Sequence, residues 1–352
     1  MATKTFGREN MVTAAKMTNS RGEIMDVAEV LNESIEMIAD AHVQEATDMT
    51  SNMVSRRTAL PTPTWTVAGN GWNATTALCQ QATEPIGILH DRYQCPEDIM
   101  RLQPNPGKFR TNQERPHVEA LSQTVENQIV YGGFNQTTGA LTPAPEQFNG
   151  LASRYQSLSS SADILSMAAN ATYVLDNGDS GQTNDTSMWF IQWGPGKVYL
   201  IYPRNSSTVG LYQRDEGRQL VSGDNSIAST SATFNNPTNQ LWALVTEFGW
   251  DVGLCIEDGR AVKRLANIDP VKGETNVIDE DNIIQIGNNF KTMGTKFIYC
   301  NEQVFTELRI RVKDKNNVWY DPASPWGTNQ LMFDDMPIRR SDAILNDEAS
   351  LT

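Results

Sequence analysis

The residues that could do chemistry are few and poorly grouped for it. Gly178-Asp179-Ser180-Gly181-Gln182 has the surroundings of a serine nucleophile, but Ser180 would need a general base oriented by a third group. His42 and His90 precede it without a recognisable catalytic context, and a polar surface turn accounts for the same five residues. The carboxylate pairs Glu257-Asp258 and Asp334-Asp335 are adjacent in sequence; neighbours on a strand point to opposite faces, so solvated turn charge is expected rather than acid–base work. Cys79, Cys95, Cys255 and Cys300 lie far apart, as do His42, His90 and His117. Zinc-type spacing is therefore absent, and the thiols are expected to be reduced and structural. The glycine-rich "WGPGK" at 193–197 lacks the Ser or Thr and the following helix of a phosphate-binding loop. No catalytic residue, metal or cofactor is expected.

The elements that would have to position such groups point elsewhere. The 352 residues allow about two domains, and a chain of this size needs no disulfide or metal staple. Lys and Arg number 28 against 42 Asp and Glu, a formal charge of −14, which argues against the basic face of a nucleic-acid binder. The polar start "MATKTFGREN" has no apolar signal core, and no run approaches the ~18 apolar residues of a membrane span. A cytoplasm-like compartment is expected.

Residues 1–21 read as an extended or disordered arm, followed by an amphipathic helix carrying Ile24, Val27, Leu31, Ile35 and Ile38 at three- and four-residue steps. The stretch 58–79, flanked by β-compatible sequence on both sides, predicts a long two-stranded excursion with an irregular tip. Trp65 and Trp72 on that tip would want a partner surface. The clearest helix lies within 111–131, with Val118, Leu121, Val125 and Ile129 as its stripe and Gly132-Gly133 as its stop. Thr111 and Glu114 have capping-box spacing, and Pro116, tolerable only in a first turn, sets the start of regular helix near Gln113.

Residues 139–160 read as a turn-rich connector, and the polar stretch 177–187 as an internal boundary. "MWFIQWGPGKVYLIYP" (188–203) predicts two strands paired through a hairpin at Gly194-Pro195-Gly196. "FGWDVGLCIEDGRAVKRLANIDP" (248–270) reads as a second β-hairpin with a charged turn at Glu257-Asp258-Gly259. Residues 279–290 fit a helix or a strand. "FTELRIRVKD" (305–314) alternates Leu308, Ile310 and Val312 with Arg309, Arg311 and Lys313, predicting a half-buried strand with a basic outer face.

The order of these features, with "EQFNGLASRY" (146–155), "SMWFIQWGPGKVYLIYPRNSSTVGLYQRDEG" (187–217), "WDVGLCIEDGRAVKRLANID" (250–269) and "DMPIRRSDAILNDEA" (335–349), resembles the major capsid proteins of tailed bacteriophages, in particular podovirus coat proteins of the epsilon15 type. The resemblance runs from about Glu23 to Ala349. It implies an α+β protein with the HK97-like capsid fold: an N-terminal arm and helix (1–50), an extended E-loop (51–95), a P-domain (96–186) with the 111–131 spine helix, an A-domain (187–310) and a C-terminal return strand and tail (311–352).

The function implied is structural and non-enzymatic. Hexamers and pentamers of the chain would tile an icosahedral shell around phage DNA, a non-specific neighbour that the acidic wall would not trap. A scaffolding protein, a portal and a cementing or decoration protein are the implied partners, with no membrane and no cofactor. Assembly is expected in the host bacterial cytoplasm, with the protein ending in the virion. Arg56, Arg57, Trp65, Trp72, Arg260, Lys263, Arg264, Arg339 and Arg340 are the expected intersubunit contacts, the 250–269 cations pairing with acidic groups of the same or a neighbouring subunit. A carbohydrate-binding or adhesive virion protein, suggested by abundant Asn, Thr and Trp, is the alternative.

Overall fold

The computed structural model describes residues 35–142, 146–158, 173–178, 184–206, 208–222, 240–270, 278–314, 319–321 and 330–351. Ser180 and most of the 24–38 helix expectation lie outside them. In chain order the first half contains α1 (Glu36–Asp40), β1 (Val43–Glu45), β2 (Ser51–Ala59), β3 (Leu78–Pro85), β4 (Gly87–Pro96), α2 (Glu97–Leu102) and α3 (Pro106–Tyr131). There follow β5 (Phe134–Asn135), β6 (Ala140–Leu141), α4 (Leu151–Arg154), β7 (Val174–Asp176), β8 (Thr186–Ile191) and β9 (Val198–Tyr202). The remainder contains β10 (Leu211–Ser222), β11 (Gln240–Ile256), β12 (Val262–Ile268), α5 (Glu280–Asn288), β13 (Phe297–Cys300), α6 (Glu302–Asp314), β14 (Trp319–Asp321), β15 (Gln330–Phe333) and β16 (Met336–Arg340).

Two compact units arise from discontinuous stretches. One contains residues 88–122 and, among 210–250, the antiparallel pair of β10 with the first part of β11, joined on β11 by β4. Tyr93, Cys95, Ile99, Met100, Phe109, Leu121 and Phe248 form its core. His117 stacks on Phe248 with ring centroids 5.5 Å apart and meets Asp91 at 2.5 Å. Arg110 bridges Glu114 at 2.7 Å and Asp215 at 2.8 Å, and these carboxylates push its pKa further up.

The other unit holds residues 33–87, 123–209 and 251–352. Its main sheet has the order β14-β15-β16-β13-β8-β12-β7. β8 and β12 are buried along their whole length, as expected of central strands covered on both faces. Ile283 and Ile286 of α5 and Val304 and Leu308 of α6 pack on one face, against Met188, Phe190, Leu265 and Ile298.

Several expectations are corrected here. The 305–314 strand is part of helix α6: Val304 and Leu308 are the buried positions, a four-residue step, and Asn301 Oδ1 caps the start by accepting from the Gln303 amide at 3.1 Å. The alternation seen from Phe305 onward began one residue too late to include Val304. The 279–290 stretch is the helix α5, with the Asp279 side chain accepting from the Asp281 amide.

Helix α3 starts at Pro106 rather than near Gln113, so Pro116 lies in its interior. The helix start is instead marked by Asn105, whose Oδ1 accepts from the Lys108 amide at 3.2 Å, with Pro106 as the first helical residue. Thr111 makes no capping box; its hydroxyl donates to the Gly107 carbonyl. Val118 is exposed, while Leu121, Val125 and Ile129 are buried as the stripe requires. The predicted stop holds: α3 ends at Tyr131, and Gly133 has φ of 71°.

Neither predicted hairpin forms as a strand pair. The chain does turn at 194–197, with the Lys197 amide donating to the Gly194 carbonyl at 3.2 Å, but β8 pairs with β12 and β13 whereas β9 pairs with β1 and β11. Likewise β11 and β12 separate at the 257–261 link, a capped 3₁₀ turn. The pattern is consistent: β8 with β12 and β9 with β11 are antiparallel pairs, and the Glu257 amide donates to the Lys197 carbonyl at 2.7 Å where the two links run side by side.

Candidate intersubunit surface

β2 and β3 form a separate two-stranded antiparallel sheet with Ser51 opposite Pro85 and Arg57 opposite Cys79. The connection between them, 60–77, contains no helix or strand. Its prolines remove backbone donors, and its glycines disfavour regular structure. Trp65 and Trp72 on this tip are 104% and 78% exposed, so two large apolar rings find no cover among the described residues. That is unusual for indole groups and marks a contact surface. Leu60, Val67 and Leu78 extend the apolar character.

The base of the ribbon is held by charge. Glu84 on β3 and Arg154 on α4 have fully buried side chains. Arg154 Nη1 and Nη2 donate to Glu84 Oε1 and Oε2 at 3.0 and 2.9 Å, a bidentate pair. Its remaining donors reach the carbonyls of Asn149 and Leu254. Arg56 on β2 adds a third hold: Nη2 meets Glu84 Oε1 at 3.1 Å and the Ile256 carbonyl, while Nε donates to the Glu257 carbonyl at 3.2 Å. Both strands are thereby tied to the end of β11. Beside them opens a cleft of about 800 Å³ lined in part by Arg56, Arg57, Tyr173, Glu257, Asp258 and Arg260.

Arg57 is exposed on the ribbon. Arg260 is half-exposed and folds back on Asp258, with Nε 2.9 Å from Oδ1 and Nη2 2.8 Å from Oδ2; the guanidinium and burial act oppositely on that carboxyl, whose pKa is lowered on balance. Lys263 and Arg264, expected at a subunit boundary, are instead 1% exposed. As consecutive strand residues they leave β12 on opposite faces. The Lys263 ammonium sits 4.1 Å from the centroid of Tyr173, and burial lowers its pKa to about 8.

Arg264 is engaged within its own chain. Its Nη2 pairs with Glu348 Oε2 at 2.8 Å, its Nε with Ser187 Oγ at 2.9 Å and its Nη1 with the Tyr155 carbonyl at 2.9 Å. Arg339 pairs with Asp40 at 3.2 Å and Arg340 with Asp342 at 2.8 Å, both partly exposed. The ribbon carries Arg56, Arg57, Trp65 and Trp72, with Arg260 beside its base and Lys263 buried against Tyr173 of the same cleft, and leaves Arg264, Arg339 and Arg340 elsewhere. Sequence reading missed Glu84, Arg154 and Glu348. For Arg154 the signal was present in "EQFNGLASRY", as an arginine three residues after the apolar Leu151; for the two glutamates the sequence offers no local cue.

A two-stranded ribbon with exposed tryptophans and a base fixed by a buried ion pair is a surface suited to joining other proteins. The family of major capsid protein GP7 matches residues 19–352, and the chain belongs to that family. It is a structural component of a virion capsid, not an enzyme. A chain of the near-atomic-resolution structure of bacteriophage Epsilon15 is similar over 100% of both chains, with a TM-score of 0.72 and 23% identity. The bacteriophage JBD30 capsid is similar over 97% of this chain and 96% of that one (TM-score 0.41, 11% identity), and the capsid of a native GTA particle over 68% and 92% (0.41, 10%). No curated protein matches. The fold is the α+β HK97-like capsid fold expected from the sequence.

Proposed function

We propose that this capsid protein tiles its shell as hexamers and pentamers, using the β2–β3 ribbon as an E-loop that lies on a neighbouring copy. The observation that carries this reading is the full exposure of Trp65 at the tip of a ribbon whose base is immobilised. Residues 1–50 serve as the N-terminal arm, 51–95 as the E-loop, 96–186 as the P-domain, 187–310 as the A-domain and 311–352 as the return strand and tail. Arg57, Arg260 and Arg340 supply rim charges, each weak alone and effective through repetition around the shell. Assembly proceeds in the host bacterial cytoplasm with a scaffolding protein and a portal, and a cementing or decoration protein binds the finished surface. The formal charge of −14 leaves packaged DNA unbound by the wall.

The test is expression of the chain with its genomic neighbours and negative-stain electron microscopy, wild type beside Trp65→Ser/Trp72→Ser. Wild type is expected to give closed shells, and the double variant folded protein in rings or smaller species. Shells from the double variant at wild-type yield would overturn the ribbon's role.

A further inference from the structure

Glu126 lies in the unit that contains 123–131, and it is a buried carboxyl group of a different kind from Glu84 and Glu348. It is 1% exposed, yet it makes no ion pair among the described residues. Oε1 receives the Ser341 hydroxyl at 2.5 Å, while Oε2 is sealed from water without a well-formed hydrogen bond. Three elements meet here: α3 carries Glu126, Ser341 follows β16, and α1 presents Met37, which is fully buried. The residue before α1, Ile35, forms an antiparallel bridge to Ser341. The docking of α1 therefore closes directly over the carboxyl group.

The charges facing it do not favour its ionised form. Glu36 comes from α1 and Asp342 follows Ser341, and both repel a negative charge on Glu126. The nearby cations are already engaged, Arg339 with Glu36 and Asp40, and Arg340 with Asp342 and Glu302. Burial pushes the Glu126 carboxyl from 4.5 up to about 7; the bonds from Ser341 and the Met37 backbone oppose this, and Asp342 and Glu36 reinforce it.

We propose that Glu126 is a proton-operated latch for α1, closed when its carboxyl group is protonated and loosened when the group ionises. Undocking exposes Glu126 to water and returns it to its ordinary acidity. Below pH 4.5 both states are protonated and docking is at full strength. As pH rises from there through about 7, the open state ionises first, and docking is progressively lost. Because α1 directly follows residues 1–34, the proton sets how firmly the root of the expected N-terminal arm is held. The latch stands apart from the shell-tiling reading, which its failure would leave intact.

Met37 is the built-in reporter. Dilute hydrogen peroxide is applied to the full purified chain from pH 5 to 7.5, and oxidation of Met37 is read by mass spectrometry relative to the exposed Met49 and Met53. Oxidation through the open state is expected to rise ~60-fold over that range, and to be slow and flat in Glu126→Gln, which keeps an acceptor without a charge. In Glu36→Gln/Asp342→Asn the rise is expected to shrink, since two repelling carboxylates are gone. A flat Met37 profile in the wild-type chain, or an undiminished rise in Glu126→Gln, overturns the latch.

Discussion

Replacing Arg264 with Met tests whether the 250–269 stretch acts inside the subunit or between subunits. Arg264 and Glu348 have side chains only 1% and 2% exposed. The substitution keeps an unbranched apolar stem but removes the guanidinium, whose carbon lies 4.9 Å from the Trp189 ring, and so strands a buried carboxylate. Removing one partner of a buried pair costs ~3–5 kcal/mol. Two hydroxyl donors would remain on Glu348, Tyr131 at 2.5 Å to Oε1 and Ser187 at 2.5 Å to Oε2, so the lower end, about 3 kcal/mol, is expected. The double variant Arg264→Met/Glu348→Leu removes the stranded charge and should recover at least ~1.5 kcal/mol of that loss as a coupling term. Arg260→Glu, at a half-exposed pair, should cost no more than ~1 kcal/mol.

The assay is hydrogen exchange on the unassembled chain, followed on peptides covering Val262–Ile268. It reports the opening free energy of this strand without requiring that the whole chain unfold in one step. Equal costs for Arg264→Met and Arg260→Glu, or a coupling below ~0.5 kcal/mol, would refute the assignment of Arg264 to the interior.

Two further substitutions address the scaffold of the ribbon. Gly150→Ala places a methyl group 2.5 Å from the Gly132 amide nitrogen and 2.6 Å from the Gln128 carbonyl oxygen; backbone cannot yield there, so a loss of about 2 kcal/mol or more is expected, about 3 °C or more in Tm by differential scanning calorimetry. Arg154→Lys keeps the charge on Glu84 but loses the bidentate geometry. Folded protein with irregular or incomplete shells by electron microscopy is expected, and regular shells would argue that the pair has no orienting role.

What the sequence makes legible follows the range of the interactions involved. The ribbon, its irregular tip and the helix stop at Gly132-Gly133 are local features, written in prolines, glycines and alternation, and they appear where expected. Pairing is not local. Fully buried strands such as β8 and β12 carry no alternation to reveal their neighbours, so proximity in sequence suggested hairpins where the chain passes from one sheet to another. Charge misled for the same reason: Arg264 is a surface group by type, and only Glu348, 84 residues away, makes its burial tolerable. For α6 the information was present, but period two and period four overlap at Leu308, and the buried Val304 was needed to separate them.

The chemistry at the ribbon's base is better understood as orientation than as stability. An apolar pair of similar volume could replace Glu84 and Arg154 at little cost, since desolvation offsets most of their attraction. What an apolar pair lacks is direction. The nine residues of β2 extend roughly 30 Å at ~3.4 Å per residue, so angular slack of about 10° at the base would move the tip by about 5 Å, more than a well-packed contact tolerates. Arg154 fixes Glu84 in the plane of a two-bond fork, and Arg56 fastens the partner strand to the same carboxylate and to the backbone of β11. With both strands held at one point, Trp65 and Trp72 arrive at a defined place on whatever they meet. A closed shell demands this, because an error of placement in one subunit is repeated in every copy.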